Sequence, residues 1–213
     1  MSSLYDREST GKWFGTKYER AYNQGRLRST KLRKENLSIL NKVFKRHDIK
    51  MFLMYGTLLG AVRDGDLIIN DRDDDVGILL KDKEKFTDEV MSELIDLNFE
   101  LVRISNHGTD VRRKEFAGEK TNGHNHSITL GRNEMSIDIC LFSEYSENQY
   151  MYYLPTILLD KRYLDNLEVL TLDGEPYNIP TDSKYLLEGI YGSDWQTPQS
   201  NKWCTSCNVK WRR

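Results

Sequence analysis

From Thr30 the apolar positions Leu32, Leu37, Leu40, Val43 and Phe44 recur at three- and four-residue steps with Lys and Arg between them. That spacing predicts an amphipathic helix with a basic outer face. Ile49 to Tyr55 is a nearly continuous apolar run broken at Gly56, which reads as a buried strand and a turn, and Thr57 to Val62 reads as a short helix. After Leu67-Ile68-Ile69 the chain enters Asn70-Asp71-Arg72-Asp73-Asp74-Asp75 and then the strand-like Val76 to Leu80. Between Lys83 and Leu97, Phe86, Val90, Met91, Leu94, Ile95 and Leu97 mark a second amphipathic helix, and a strand follows near Phe99 to Ile104.

The Gly-, His- and Lys-rich stretch to Asn125 reads as strands with a mobile loop. Ser127 to Leu130 and Met135 to Phe142 form a predicted hairpin across Gly131-Arg132-Asn133-Glu134. A Tyr-rich strand (Tyr150 to Leu154), a strand from Leu167 to Leu172 ending in Asp173-Gly174, and a helix from about Asp182 to Tyr191 complete the pattern. Three segments result: an irregular arm over 1–30, a domain over 31–198 and a basic, aromatic tail over 199–213.

A length of 213 residues suits one domain with appendages. With 38% hydrophobic and 11% aromatic residues, the chain has the makings of a core and is not disordered throughout. Thirty-one basic against thirty-three acidic residues leave a net charge of -2, so no bulk field draws the protein onto nucleic acid. Any anionic partner must be held by a local site. The first residues lack the basic and apolar regions of a signal peptide, and Met51 to Val62 is too short to span a bilayer, so a cytoplasmic protein is expected. Three cysteines without a framework spacing fit a reducing compartment.

The acidic run is the strongest local signal. In an extended chain Asp71, Asp73 and Asp75 project to one side while Arg72 and Asp74 project to the other. Crowded carboxylates raise one another's pKa unless a cation neutralises them. An acidic surface loop is the plainer account. The flanking Ile68-Ile69 and Val76-Gly77-Ile78-Leu79 tell against it by setting the carboxylates beside a buried strand. A hard divalent cation, Mg²⁺ or Mn²⁺, is the natural partner of such oxygens. Asp138 is the only charge in Ser136-Ile137-Asp138-Ile139-Cys140-Leu141, and it becomes a third ligand if its strand lies beside the first. A solvent-facing Asp on a half-exposed strand is the competing account. Gly56-Thr57, closing a strand and opening a helix, offers free N–H groups and a hydroxyl suited to a phosphate.

The order Gly-Thr, Asp-x-Asp and a later strand-borne Asp resembles the nucleotidyltransferase superfamily. Within it, Tyr55-Gly56-Thr57-Leu58-Leu59-Gly60-Ala61-Val62-Arg63 followed by Asp71-Arg72-Asp73-Asp74-Asp75-Val76-Gly77 looks like the LicD family, which includes bacterial phosphocholine transferases and fukutin-related glycan phosphotransferases. Ser136-Ile137-Asp138-Ile139 resembles that family's third-carboxylate strand. Ile179-Pro180, Tyr185-Leu186-Leu187 and Tyr191-Gly192-Ser193-Asp194-Trp195 with Pro198 resemble its C-terminal signature, so the likeness runs from about Leu32 to Pro198. Asn70 and Arg72 depart from it, standing where the family usually has a Trp and a further Asp, as does Asp64-Gly65-Asp66.

The resemblance implies an α+β fold, a nucleotidyltransferase-like mixed β-sheet flanked by helices. It also implies a metal-dependent transferase moving a phospho-alcohol (phosphocholine, ribitol phosphate or similar) from a CDP-activated donor to a sugar hydroxyl of a glycan or lipid-linked glycan. Asp73, Asp75 and Asp138 are the expected catalytic and metal-binding residues, and Gly56, Thr57 and Arg63 the expected donor-phosphate contacts. For Arg63, a salt bridge to the acidic loop is the other account. Nucleotidyl transfer from an NTP, and a non-catalytic binding module on the same fold, are the alternative functions. An aromatic cage for a quaternary ammonium would draw on Tyr55, Tyr150, Tyr152 and Tyr153, which core packing explains equally well. His124 and His126 read as loop histidines. Cys204 and Cys207 make only half a zinc site. The tail mixes Lys202, Trp203, Lys210, Trp211, Arg212 and Arg213 as weak membrane-surface contacts do, although a disordered tail is the simpler reading.

Overall fold

Ser29 starts the first helix, its hydroxyl accepting from the Leu32 N–H at 3.3 Å. In a computed structural model that describes residues 17, 29–69, 71, 73–106, 125–152 and 157–199, helix α1 (Thr30–Arg46) buries Leu37, Leu40, Val43 and Phe44 as its periodicity requires. It also buries Arg33, Asn36 and Asn41, against the expectation that its polar residues face solvent. Asn36 donates to the Arg132 carbonyl at 3.0 Å and Asn41 to that of Pro176 at 3.1 Å, so these side chains satisfy strand ends beneath the helix.

Strand β1 is short (Phe52–Leu53), because helix α2 (Tyr55–Arg63) begins two residues earlier than its apolar run suggests. Tyr55 and Gly56 are therefore the first residues of a helix, not the end of a strand and a turn. Tyr55 has φ 46°, a left-handed conformation costly for a side chain of its size. Strand β2 (Asp74–Leu79) starts before Val76 and so takes Asp74 and Asp75 into the sheet. A 3₁₀ turn (Leu80–Lys85) and α3 (Asp88–Asp96) replace the single helix expected from Lys83. Phe44 of α1 meets Phe86 edge-on at 5.3 Å.

Strands β3 (Glu100–Asn106), β4 (Asn125–Arg132) and β5 (Met135–Ser146) follow. The β4–β5 turn is Asn133-Glu134, both with positive φ, which tightens the predicted connection to a two-residue hairpin turn. Strands β6 (Gln149–Tyr152) and β7 (Ile157–Asp160) branch from β5, and a short helix α4 (Arg162–Asp165) follows. Strands β8 (Glu168–Leu172) and β9 (Glu175–Ile179) make a second hairpin across Asp173-Gly174, and α5 (Ser183–Tyr191) ends the regular structure.

The main path across the sheet is β3-β4-β5-β2-β1-β9-β8. β2 runs parallel to β5 and β1 parallel to β9, while the other pairs are antiparallel. This is the expected mixed sheet flanked by helices, an α+β fold. Among the described residues no helix is long and apolar enough to cross a membrane. The stretch 107–124, His124, Tyr153, Cys204, Cys207 and the tail lie outside the described residues, as do most of the arm and the side chain of His126.

Candidate active site

The two faces of β2 have different work. Asp74 points toward α1, where Arg33 Nε donates to its Oδ2 at 3.0 Å and the second guanidinium arm to Oδ1 at 2.7 Å, with both side chains only 1% exposed. Arg33 also donates to the carbonyls of Ile68 at 2.7 Å and Asp73 at 3.4 Å. One buried guanidinium thus holds both ends of the acidic loop. The helical period alone predicts this charge on the solvated face of α1, and the structure buries it instead. The sequence carries half of the signal in Asp74, a carboxylate whose strand phase sets it opposite Asp73 and Asp75, and the other half appears only when α1 packs on β2.

Alternation along the strand sends Asp75 to the opposite face. There it is the register partner of Asp138 on β5, and Asp138 is the partner of Thr129 on β4. The Thr129 hydroxyl donates to Asp138 Oδ1 at 2.6 Å and fixes that carboxylate's orientation. Asp75 and Asp138 are both half-buried. Burial pushes the Asp75 carboxyl well above its ordinary value, and the charges of Asp73, Asp138, Asp71 and Asp74 push it further. Burial raises Asp138 as well, against the Thr129 hydrogen bond and the charge of Arg103. The expected convergence of strands is present, with Asp73 beside the pair on the loop.

An aromatic layer lies on the same side. Phe142 packs against Phe52 and Tyr152 with ring centres 5.6 and 5.3 Å apart, and Tyr152 packs against Tyr55 at 5.9 Å. Gly77 leaves the room for it, since a Cβ there would stand 2.5 Å from Phe52 Cζ and 3.0 Å from Phe142 Cε2. Of the four tyrosines considered for a cage, Tyr55 and Tyr152 join this layer. Tyr150 belongs to the β5–β7 extension, where its hydroxyl donates to Asp165 at 2.7 Å under Lys161.

The N-terminus of α2 abuts the acidic loop. A Cβ on Gly56 would collide with Asp71 Oδ2, so the missing side chain makes the space in which that carboxylate rests. Such a cradle suits an anion. Thr57 does not face it. This side chain is 1% exposed, and its hydroxyl accepts from the Asp75 N–H at 2.8 Å, tying the helix to β2 instead of pointing outward as expected. Arg63 sits at the other end of α2, ~10 Å along the axis from Gly56 at 1.5 Å per residue. Its guanidinium makes a bidentate pair with Asp64 at 2.8 and 2.7 Å, not with the acidic loop.

Among the described residues no three acidic, His or Cys side chains form a ready-made metal cage. Mg²⁺ does not demand one, because it is commonly held by one or two carboxylates together with waters and substrate phosphates. The paired carboxylates of Asp75 and Asp138 offer oxygens of that kind.

Paired carboxylates on neighbouring strands accord with a nucleotidyl or phosphoryl transferase, the class to which the family model points. The family model described as "LicD/FKTN/FKRP, nucleotidyltransferase domain" matches residues 48–182, and the chain belongs to that family. A search of curated proteins found no match. Among solved structures, the chain is similar to the lincomycin-bound lincosamide adenylyltransferase LnuA (12% identity, TM-score 0.44, covering 72% of this chain and 83% of that one). It is also similar to the antibiotic-resistance factor ANT(2'')-Ia in solution (9%, 0.46, 78% and 74%) and in complex with adenylyl-2''-tobramycin (10%, 0.45, 76% and 77%).

Proposed function

We propose that the protein moves a phospho-alcohol, such as phosphocholine or ribitol phosphate, from a CDP-activated donor to a sugar hydroxyl of a glycan or glycan precursor. The observation that carries this reading is the in-register pairing of Asp75 and Asp138 on parallel strands, beside the anion cradle at Gly56. Membership of the LicD family supports the transferase class. The CDP donor and the glycan acceptor come from the family resemblance.

Asp73, Asp75 and Asp138 would hold Mg²⁺ (or Mn²⁺), which when bound neutralises diphosphate charge as the bridging oxygen leaves. The N–H groups that open α2 receive a donor phosphate oxygen at Gly56, in the place where Asp71 rests. Asp138 takes the proton of the attacking hydroxyl, as a carboxylate within hydrogen-bond reach of the nucleophile can. Thr129 keeps the carboxylate aimed. As the sugar oxygen bonds to the alcohol's phosphorus, the bond from that phosphorus to the bridging oxygen breaks and its electron pair leaves with CMP. A cytoplasmic location belongs to the same proposal and accords with the free, buried thiol of Cys140.

The test is incubation with Mg²⁺ and a panel of CDP-alcohols, each with candidate sugar acceptors, measuring CMP. Release of CMP with transfer of the phospho-alcohol supports the reading. Pyrophosphate from an NTP, with no CMP from any CDP-alcohol, shows nucleotidyl transfer instead.

A further inference from the structure

The carboxylate row continues beyond Asp138. Thr129, the partner of Asp138 across β4–β5, is itself the register partner of Arg103 on β3. Arg103, Thr129, Asp138 and Asp75 therefore lie in line across four neighbouring strands, β3-β4-β5-β2. Register partners share a face, and the Thr129–Asp138 hydrogen bond shows that this row points to the site side. With strands about 4.8 Å apart, the Arg103 Cα stands ~10 Å from that of Asp138. Its long side chain is half-buried and close enough for its charge to act on the Asp138 carboxylate.

The charge balance gives this position its meaning. The site gathers Asp71, Asp73, Asp75 and Asp138, yet the proposed donor carries a diphosphate, which needs cations around it. Arg33 serves Asp74 on the other face, and Arg63 is bidentate to Asp64 at the far end of α2. Among the described residues, Arg103 is an arginine that the strand register delivers to the site face, and a planar guanidinium matches phosphate oxygens in a fork that Lys does not reproduce.

We propose that Arg103 binds a phosphate of the donor, gripping it from the β3 side while the N–H groups that open α2 face it from the β2 side. This rests on the reading of the site as one for a phosphate-bearing donor. Arg103 takes the role that the sequence suggested for Arg63.

The test is calorimetric binding of Mg²⁺ alone, and of inorganic pyrophosphate with Mg²⁺ present, to the wild-type chain and to Arg103→Ala and Arg103→Lys. Loss of a charge-assisted contact predicts pyrophosphate binding weakened ~10-fold or more in Arg103→Ala, with partial recovery in Arg103→Lys. Affinity for Mg²⁺ alone stays within about twofold. Unchanged pyrophosphate affinity overturns the proposal while leaving the transferase reading intact. An equal loss of Mg²⁺ affinity also overturns it, because Arg103 would then act only through Asp138. If wild-type protein with Mg²⁺ binds no pyrophosphate, the phosphate-donor reading itself fails and this inference with it. Should Arg103→Ala not fold, the contrast between Arg103→Lys and Arg103→Gln decides the same question.

Discussion

Replacing Arg33 with Met removes the guanidinium that grips the acidic loop while keeping an unbranched side chain in the space it fills. Four hydrogen bonds go at once: two to the Asp74 carboxylate, at 3.0 and 2.7 Å, and two to the carbonyls of Ile68 and Asp73. With both partners 1% exposed, water cannot replace the lost donors, and Asp74 is left as a buried, unpaired charge. Breaking such a pair from one side costs ~3–5 kcal/mol, a large share of the ~5–15 kcal/mol that holds a domain together. At roughly 2–4 °C per kcal/mol for a chain of this size, the melting temperature falls by roughly 6–20 °C. Urea unfolding followed by tryptophan fluorescence measures the free-energy loss, and a thermal melt the shift in temperature, since Trp195 is buried. The double variant Arg33→Met/Asp74→Leu recovers much of the loss, because it leaves no charge behind. A loss below about 1 kcal/mol in Arg33→Met would refute the reasoning, since a buried pair with these bonds cannot be removed so cheaply.

Asp75 gives a pH dependence of definite sign. Its carboxyl is raised above the ordinary 3.8 by burial first and by its acidic neighbours second, so the metal-free folded protein binds the extra proton. Stability from this group is present below 3.8 and is lost as pH rises through the raised folded value. Asp75→Asn should therefore unfold at a higher temperature than wild type at pH 8 in EDTA, with the gap narrowing at low pH; a less stable variant at pH 8 contradicts the assignment. Gly77→Ala forces a methyl against the Phe52 and Phe142 rings and should cost ~1–3 kcal/mol in urea unfolding, and an unchanged midpoint would show that the rings yield freely. Gly56→Ala meets first the end of the Asp71 side chain, so it should reduce pyrophosphate binding with little change in melting temperature. Thr129→Val removes the bond to Asp138 and should lower kcat ~10-fold with the fold retained, while undiminished kcat would mean that Asp138 needs no such aim.

The helices α1 and α3 were legible because their apolar positions keep the helical period, and the opposite facing of Asp74 and Asp75 was legible because a strand has period two. What the pattern along a chain does not encode is which strands meet. The adjacency of Asp75 and Asp138 depends on a parallel pairing across more than sixty residues, and it was expected only on the condition that the two strands are neighbours. Arg33 was missed because a charge on an amphipathic helix ordinarily faces water, and only the pairing of α1 with β2 shows its partner. The mixed strand β9 was hidden by Pro176 and Asn178, which break its alternation, although Asp173-Gly174, both with positive φ, is the turn that announces a hairpin. The Thr57 hydroxyl turns onto the Asp75 N–H because α2 begins at Tyr55, two residues before the start its apolar run suggests, whereas Arg63 stands one helix beyond Gly56 as the sequence places it and meets Asp64 there.

The most direct test of the central claim is Mg²⁺-dependent CMP release from CDP-alcohols by the wild-type chain beside Asp75→Ala and Asp138→Ala, each first shown to be folded. The account predicts CMP from at least one donor with the wild-type protein and none above background with either variant. Full activity of the Asp75 variant at saturating Mg²⁺ would contradict it.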